Sequence, residues 1–464
     1  MSTLGTPSEP ALIAIVGAGP AGYYAAEKLL RQDDIDVRVD MYEKLPTPYG
    51  LVRAGVAPDH EKIKNVTRVF DKTAARPGFR YFGNVEYGVH VSLADLKKHY
   101  HQVYFSTGAA VDRKLGIPGE DLIRSHSATE FVAWYNGHPE YRHLQFDLSQ
   151  KSVAIIGMGN VAIDVARILC KTASELASTD IADYALEALS KSKVRTIYMI
   201  GRRGPAQAAF TLPEIKEMGT LEDASCVVLE EEARLDTLSE QLLTETPDRM
   251  TSKKLEIINS YIGGTNENGS KECQVRFLLS PTELISDESG AVSGMKLVRN
   301  RLEASGSRLT ARATDETIEL PVGLVFRSVG YRGVALPDLP FNESWGVVRN
   351  DKGRAVEESG EVVPGCYVGG WIKRGPNGVI GTNKPDAFET VGHMLEDLVS
   401  GIHLRPSNPG LEAAMTMVSG KQPRWVSYSE WEKINERETQ AGAASDRPRV
   451  KITSVEEMLT VAGK

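Results

Sequence analysis

A chain of 464 residues, 41% of them hydrophobic and 25% charged, can form two or three domains that each bury a core. The net charge of −8 argues against a general nucleic-acid binder, because the phosphate backbone would repel it. No apolar run approaches the ~20 residues that span a bilayer, and residues 1–10 lack the basic and apolar segments of a secretory signal. We therefore expect a cytoplasmic protein without membrane insertion, in which residues 1–10 are a disordered lead-in.

The first predicted elements are a strand, a glycine-rich turn, a helix and a second strand that ends in an acid. In the G-x-G-x-x-G turn, Gly17 permits the tight bend, Gly19 lets the backbone approach a pyrophosphate, and Gly22 lets helix and strand pack closely. Glu43 ends the second strand, where a carboxylate accepts from a ribose 2′-OH and repels a 2′-phosphate. The pattern predicts a site for FAD or NAD(H) rather than NADP(H).

The next segment is a Pro- and Gly-rich stretch, residues 45–60, that keeps apolar side chains, so we expect an ordered loop. Asp59 is predicted to cap the helix that follows, which places His60 in its first turn. There the imidazole could simply pack or help to cap the helix. A strand over residues 102–106 ends at Thr107, where we expect the chain to cross into a second domain.

A second strand, G-x-G-x-x-A turn and helix begin at residue 151. The strand that follows ends in Arg202 and Arg203 instead of an acid, and forked guanidiniums match phosphate geometry. The alternative is a solvated surface pair, and the insertion of residues 172–193 exceeds the ~20-residue spacing of the usual motif. The contrast between the two motifs predicts FAD in the first and NADP(H) in the second.

The remaining chain carries weaker signals. Residues 211–214 fit a capping box, and residues 221–320 look like short strands separated by turns. A glycine-rich run, residues 365–384, feeds a helix whose N-terminus would favour negative charge on a reduced flavin. We expect residues from 405 onward to form a covering extension, mobile over residues 433–447.

The cysteines exclude several redox classes. They are isolated, so the sequence holds no C-x-x-C, no iron–sulfur run and no zinc ribbon, and we predict no metal site. Buried small apolar side chains are the simplest role for them. The four are Cys170, Cys226, Cys273 and Cys366.

Three long motifs point to a family: P-T-P-Y-G-L-V-R followed by A-P-D-H, then G-R-R-G-P, then W-I-K-R-G-P-N-G-V-I-G-T-N-K. Together with the two glycine turns they resemble the adrenodoxin-reductase-type NADPH–ferredoxin reductases, most closely the bacterial ferredoxin/flavodoxin–NADP reductase members. The resemblance implies an α/β fold with two Rossmann-like dinucleotide-binding domains. It places a discontinuous FAD domain at residues 11–111 and 328–404, an inserted NADP domain at 112–327, and a C-terminal extension at 405–464.

The resemblance also implies site residues. With the motif residues included, the predicted FAD contacts are Gly17, Gly19, Ala21, Gly22, Glu43, Leu51, Tyr87, Trp371, Gly378, Val379 and Ile380. The predicted NADP contacts are Arg113, Gly157, Gly159, Asn160, Val161, Ala162, Ile163, Arg202, Arg203, Glu214 and Gly378. A histidine–glutamate couple near the flavin maps to His60 and Glu217. The alternatives are that Glu214 only closes the capping box and that Glu217 is a solvated helix residue.

The implied activity is hydride transfer from NADPH to FAD, followed by single-electron transfer to a ferredoxin-like iron–sulfur protein or a flavodoxin. Scattered cysteines argue against a disulfide reductase and against glutamate-synthase-type small subunits. Docking of an acidic ferredoxin requires a local basic patch on this acidic chain. The alternative is that the candidate cations are scattered surface charge. The candidates for the patch are Arg53, Lys373, Arg374 and Lys384.

Three alternatives stay open at this point. The first is an NADPH-dependent diaphorase that reduces a quinone, a flavodoxin or oxygen. The second is a non-catalytic FAD/NADP-binding sensor, although both glycine turns are intact. The third is a scaffold that acts through its tail.

Overall fold

The computed structural model describes residues 4–306 and 308–464. Their contacts divide the chain into two compact units. The first contains the chain up to Val56, then His60–Val111 and Gly330–Lys464, and the second contains Ala57–Asp59 and Asp112–Val329. Within the described ranges, no helix combines the length and apolarity that crossing a bilayer requires.

The first unit is built on a seven-stranded sheet. In spatial order its strands are Asn350–Asp351, Arg354–Val356, Val362–Val368, Gln102–Phe105, Ala11–Val16, Val37–Tyr42 and Phe79–Phe82. The last five pair in parallel, and Ala11–Val16 at their centre is buried along its whole length. This is the burial expected of a parallel strand covered on both faces.

Helices of the first unit cover this sheet and continue into the C-terminal extension. They are Pro20–Leu29, Leu51–Ala54, Glu61–Lys64, Thr67–Ala74, Leu93–His99, Trp371–Arg374, Asn383–Val399, Leu411–Lys421, Tyr428–Ala443 and Val455–Ala462. The helix predicted after Asp59 is split in two and begins after His60, with no side-chain cap. The sequence predicts an apolar stripe of Ile63, Val66, Val69 and Phe70 on this helix. Phe70 is buried and Val66 packs partly against the same core, but Ile63 and Val69 are exposed.

The two ends of the chain are more ordered than predicted. At the start, the Gly5 N–H donates to the Glu9 carbonyl at 2.8 Å, and the Asp36 N–H donates to Gly5 at 2.7 Å. Residues 4–10 are therefore a tethered turn, while residues 1–3 of the predicted lead-in lie outside the described residues. The stretch expected to be mobile, residues 433–447, lies largely in the helix Tyr428–Ala443, whose Trp431 side chain is buried.

Lys421, at the end of the helix Leu411–Lys421, ties the extension to Asp95 at 2.6 Å. Burial raises the pKa of Asp95, but the Lys421 ammonium and Ser92 outweigh it and lower that pKa to about 2. An unfolded Asp titrates near 3.9, so this stabilisation is complete above that pH and is lost as the pH falls toward 2. We expect Lys421→Met to destabilise the protein more at pH 6 than at pH 3 in denaturant unfolding. An equal loss at both pH values would contradict the ion-pair account.

The second unit has a six-stranded sheet in which every pair is parallel. In spatial order its strands are Ser125–Ser127, Leu324–Arg327, Ser152–Ile156, Thr196–Ile200, Lys271–Arg276 and Ala224–Val228. A separate antiparallel sheet of this unit contains Leu279–Ser286, Val292–Ser305 and Arg308–Leu320. The strand Ser152–Ile156 of the parallel sheet leads into the second glycine-rich turn of the chain.

The helices of the second unit are Ala128–Tyr135, Asn160–Cys170, Ala173–Ala177, Asp183–Ser190, Leu212–Glu217, Glu230–Ala233, Thr237–Glu245 and Arg249–Ser260. The prediction of strands alone over residues 221–320 is thus wrong for residues 230–260. Asp248 caps the longest of the missed helices by accepting from the Met250 and Thr251 N–H groups, each at 3.1 Å. That helix buries only Ile258, which leaves little apolar periodicity to detect.

Candidate functional site

The first glycine turn joins strand Ala11–Val16 to the helix that begins at Pro20. Gly17 has φ of +104°, and a Cβ there would lie 2.6 Å from the Ser106 carbonyl oxygen. A Cβ on Gly22 would lie 2.2 Å from the Gly17 oxygen, whereas one on Gly19 would have no described atom within 4 Å. The fold itself therefore requires Gly17 and Gly22. Gly19 leaves open space before the helix N-terminus, where backbone N–H groups favour an anion.

Glu43 closes this turn from the end of the neighbouring strand, Val37–Tyr42. One carboxylate oxygen accepts from the Ala18 N–H at 3.0 Å, and the other accepts from the Leu45 N–H at 3.2 Å. Burial raises the pKa of Glu43, against the opposing effect of these two N–H groups. Each carboxylate oxygen offers two acceptor sites, so the group can still accept from a ribose hydroxyl.

Trp371 begins a short helix, Trp371–Arg374, after Gly370, whose N–H donates to Asp386 at 2.6 Å. Its ring stacks on Tyr331 with the centroids 5.4 Å apart. The indole N–H is buried and has no acceptor among the described residues. Because a buried donor without an acceptor is costly, the Trp371 N–H indicates a position where a ligand supplies the acceptor.

The remaining predicted FAD contacts of this unit vary in burial. Val379 and Leu51 are exposed, and Ala21 is buried in the first helix. The Tyr87 hydroxyl donates to the Pro337 carbonyl at 2.6 Å. Gly378 has φ of +80° and is exposed. Ile380 begins a helical turn that leads into the helix Asn383–Val399.

The second glycine turn repeats the first. Gly157 has φ of +146°, and a Cβ there would lie 2.1 Å from the Ser328 oxygen, while one on Gly159 would meet no described atom within 4 Å. Gly159 directly precedes the helix Asn160–Cys170. Ala162 and Ile163 are fully buried, so only their backbone can face a nucleotide, and Val161 is partly buried.

Three arginines gather near the end of strand Thr196–Ile200 in this unit. Arg202 is exposed and Arg203 is half-buried. Burial lowers the pKa of Arg203, and the charges of Arg202 and Arg308 lower it further. None of the three forms an ion pair with a carboxylate in the described part of the chain, as expected where the anion comes from outside. Sequence reasoning missed Arg308, which no local motif connects to the other two.

Arg167 organises the acidic residues of this unit and was also missed. Its side chain is 1% exposed and bonds Asp59 at 2.7 and 3.0 Å and Asp164 at 2.7 Å. Glu214 lies 3.2 Å and Glu217 lies 3.5 Å from the same guanidinium. Burial lowers the pKa of Arg167, but the carboxylates of Asp164, Asp59 and Glu214 outweigh it and raise that pKa well above its usual value. The signal in the sequence was a charged pair three residues apart on a helix that is otherwise apolar.

These contacts correct two predictions. Asp59 is not the N-cap residue, since the helix Glu61–Lys64 begins after His60, and the Asp59 carboxylate pairs with Arg167 and Lys171. Thr211 makes no side-chain cap, so Glu214 does not close a capping box. The Thr211 N–H instead donates to the Asn160 amide oxygen at 2.8 Å. Of the predicted site residues in this unit, Asn160 accepts from the Thr211 loop, and Glu214 and Glu217 face Arg167. Arg113 is exposed.

The predicted basic docking patch is largely neutralised within the first unit. Arg53 is 10% exposed and pairs with Glu438, and Lys373 is buried against Asp386 and Glu389. Arg374 also lies near Asp386, at 3.7 Å, and Lys384 lies 3.5 Å from Glu27. Of the four cations only Lys384, with 44% of its side chain exposed, offers much charge to a partner. The patch prediction is therefore wrong for Arg53 and Lys373.

Comparison with known proteins shows the family of this chain. FprA, an NADPH-ferredoxin reductase of Mycobacterium tuberculosis, is 42% identical over 97% of this chain and 99% of its own length. The chain belongs to the adrenodoxin-reductase-type NADPH–ferredoxin reductase family. A mitochondrial NADPH:adrenodoxin oxidoreductase of Arabidopsis thaliana is 40% identical over 98% of this chain and 96% of its own length.

Family membership is supported by a solved structure and a family model. The structure of M. tuberculosis FprA in complex with NADPH has a TM-score of 0.91 and 42% identity, covering 98% of this chain and 100% of that one. The model of the pyridine nucleotide-disulphide oxidoreductase family matches residues 12–200. The predicted family and the α/β class with Rossmann-like domains are confirmed.

Proposed function

We propose that this protein is an FAD-dependent NADPH–ferredoxin oxidoreductase. One observation carries the proposal: two equivalent strand ends, each beside a glycine turn, bear opposite charges. Glu43 at the first favours an unphosphorylated ribose, and Arg202 with Arg203 at the second favours a 2′-phosphate. The proposal is also supported by two relatives, an NADPH-ferredoxin reductase and an NADPH:adrenodoxin oxidoreductase, which match this chain over nearly their full length.

The residues of the first unit fit FAD. The open space at Gly19 would admit the pyrophosphate, Glu43 would accept from the ribose, and the unmet Trp371 N–H would donate to the cofactor. The N-terminus of the helix Asn383–Val399 would favour negative charge near Gly378. The full proposed set is Gly17, Gly19, Ala21, Gly22, Glu43, Leu51, Tyr87, Trp371, Gly378, Val379 and Ile380.

The residues of the second unit fit NADP(H). The turn at Gly157 and Gly159 and the backbone of residues 160–163 would receive its pyrophosphate. Arg202 and Arg203 would hold the 2′-phosphate, with Arg308 beside them. We assign Arg113, Glu214 and Gly378 as further contacts.

His60 and Glu217 are proposed to orient the nicotinamide. When bound, FAD would supply the conversion from a two-electron hydride donor to single electrons, which a nicotinamide alone does not provide. Hydride transfer itself needs no obligatory acid or base, so these two side chains align and polarise the substrate. Arg167 fixes the Glu217 carboxylate at 3.5 Å for that task.

The proposed electron acceptor is a ferredoxin-like iron–sulfur protein, and a flavodoxin is the alternative acceptor. A cytoplasmic location is part of the proposal. It is supported by Cys170, Cys226, Cys273 and Cys366, all of which are buried and free of disulfides.

An anaerobic titration of the purified protein tests the proposal. The visible flavin spectrum is followed as NADPH, and in a parallel sample NADH, is added. Bleaching at far lower NADPH than NADH concentration is expected, and oxidised ferredoxin should then restore the spectrum. A yellow protein that neither nucleotide bleaches would overturn the reductase and favour a sensor. Reoxidation by flavodoxin but not by ferredoxin would identify flavodoxin as the electron acceptor.

A pair of glycine variants tests the first turn. Gly17→Ala places a Cβ 2.6 Å from a carbonyl oxygen at positive φ, so we expect it to destabilise the apoprotein in thermal unfolding. Gly19→Ala meets no described atom, so its apoprotein should melt like wild type. If the pyrophosphate lies against Gly19, its FAD dissociation constant should rise about tenfold or more, a loss of about 1.4 kcal/mol. Unchanged FAD binding by Gly19→Ala would place the cofactor elsewhere.

A further inference from the structure

The helix Tyr428–Ala443 of the C-terminal extension contacts the segment that follows the strand Val37–Tyr42. Its Glu438 is 0% exposed and accepts from both terminal nitrogens of Arg53, at 2.8 and 2.5 Å. Arg449 donates to the same carboxylate at 3.0 Å, and the Ile452 N–H donates at 2.8 Å. Glu438 is thus a fully buried carboxylate that joins the extension to the loop through Arg53.

Two aromatic residues of the same helix reinforce this contact. The Arg53 guanidinium lies 5.3 Å from the ring centroid of Trp431, and that ring meets Tyr49 edge-on at 5.8 Å. The Tyr428 hydroxyl lies 2.9 Å from the Tyr49 hydroxyl, and both donate to Asp71. The helix therefore holds both ends of the segment from Tyr49 to Arg53.

That segment is strained and lies against the glycine turn. Tyr49 has φ of +83°, in the left-handed region that favours glycine. Such a conformation persists only where the surroundings over-determine it. The Tyr49 N–H donates to the Ala18 carbonyl at 2.8 Å, and a Cβ on Gly50 would lie 3.2 Å from the Gly19 Cα.

We propose that Glu438 is a positioning residue for the flavin, which acts through Arg53 to hold residues 49–53 against the turn at Gly19. The inference rests on the proposed function, which places FAD at that turn. It gives the C-terminal extension a role: the extension keeps a strained loop in the conformation that retains the cofactor. Tyr428 acts in the same way through the Tyr49 hydroxyl.

The test compares two extension variants of the full-length holoprotein. Glu438→Gln removes the buried charge, and we expect the FAD dissociation constant, measured from the fluorescence of released FAD, to rise at least tenfold. The visible circular dichroism of the flavin still bound should also change, because the loop beside it moves. Glu456→Gln is the matched control, since it breaks the exposed Arg424–Glu456 pair of the same extension. Its dissociation constant should stay within twofold of wild type.

If Glu438→Gln does not fold, Tyr428→Phe tests the same positioning role of the helix. It removes one hydroxyl, and an FAD dissociation constant raised about threefold supports the proposal. Variants whose apoproteins melt earlier but bind FAD with wild-type affinity and dichroism would show a merely structural helix and overturn it. A wild-type protein that takes up no FAD would overturn the proposed function as well, so the two failures are distinct.

Discussion

Replacing Arg202 and Arg203 together by glutamine should lower kcat/KM for NADPH by about 100-fold or more and change that for NADH by less than about threefold. Charge-assisted hydrogen bonds contribute about 1.5–3 kcal/mol each, and every 1.4 kcal/mol is tenfold. No internal carboxylate pairs with these arginines in the described residues, so the variant should not lose folding stability in parallel. Steady-state kinetics with an artificial acceptor measures both constants.

The matched control removes two charges from the other end of the same strand. Lys193 and Arg195 are exposed at the amino end of Thr196–Ile200, away from the glycine turn. Lys193→Gln/Arg195→Gln should leave the preference for NADPH within about twofold of wild type, because net charge alone steers weakly at physiological salt. Equal losses for NADPH and NADH in the Arg202/Arg203 variant would assign the arginines to something other than a 2′-phosphate.

The parts of the site that the sequence predicts are those that depend on local chemistry. Gly17 and Gly157 occur in short motifs because their positive φ and the nearby carbonyl oxygens exclude a Cβ. Glu43, Arg202 and Arg203 follow their strands directly, and the carboxyl end of a parallel strand is where such a fold binds its ligand. Each of these signals lies within a short stretch of the chain, the glycine turn at the end of one strand and the charge at the end of the next.

The parts that the sequence did not predict depend on pairs far apart in the chain. Glu438 binds Arg53 from 385 residues away, and Arg167 binds Asp59 from 108 residues away. The sequence does not distinguish a buried glutamate from a solvated one, and helical spacing alone assigns Glu438 to the surface. Lys373 shows the converse error, since a lysine in an accessible-looking glycine loop is buried between two acids.

Replacing Arg167 by methionine should lower the free energy of unfolding by about 3–5 kcal/mol, since breaking a buried pair leaves an uncompensated charge behind. Here Asp59, Asp164, Glu214 and Glu217 share one guanidinium, of which 1% is exposed. Although burial acts to lower it, the pKa of Arg167 is raised above its unfolded value near 12.5, so its stabilisation is fully present below that pH. Denaturant unfolding followed by circular dichroism measures the loss.

Two further variants separate buried charge from lost packing. Arg234→Met breaks an exposed pair with Glu230 in the same unit and should cost less than about 1 kcal/mol. Adding Asp164→Asn to Arg167→Met removes one of the stranded carboxylates. If repulsion among those carboxylates causes the loss, the double variant should be more stable than Arg167→Met alone. If it is less stable, the loss arises from packing around the Arg167 side chain, and the neighbouring acidic residues do not depend on its charge.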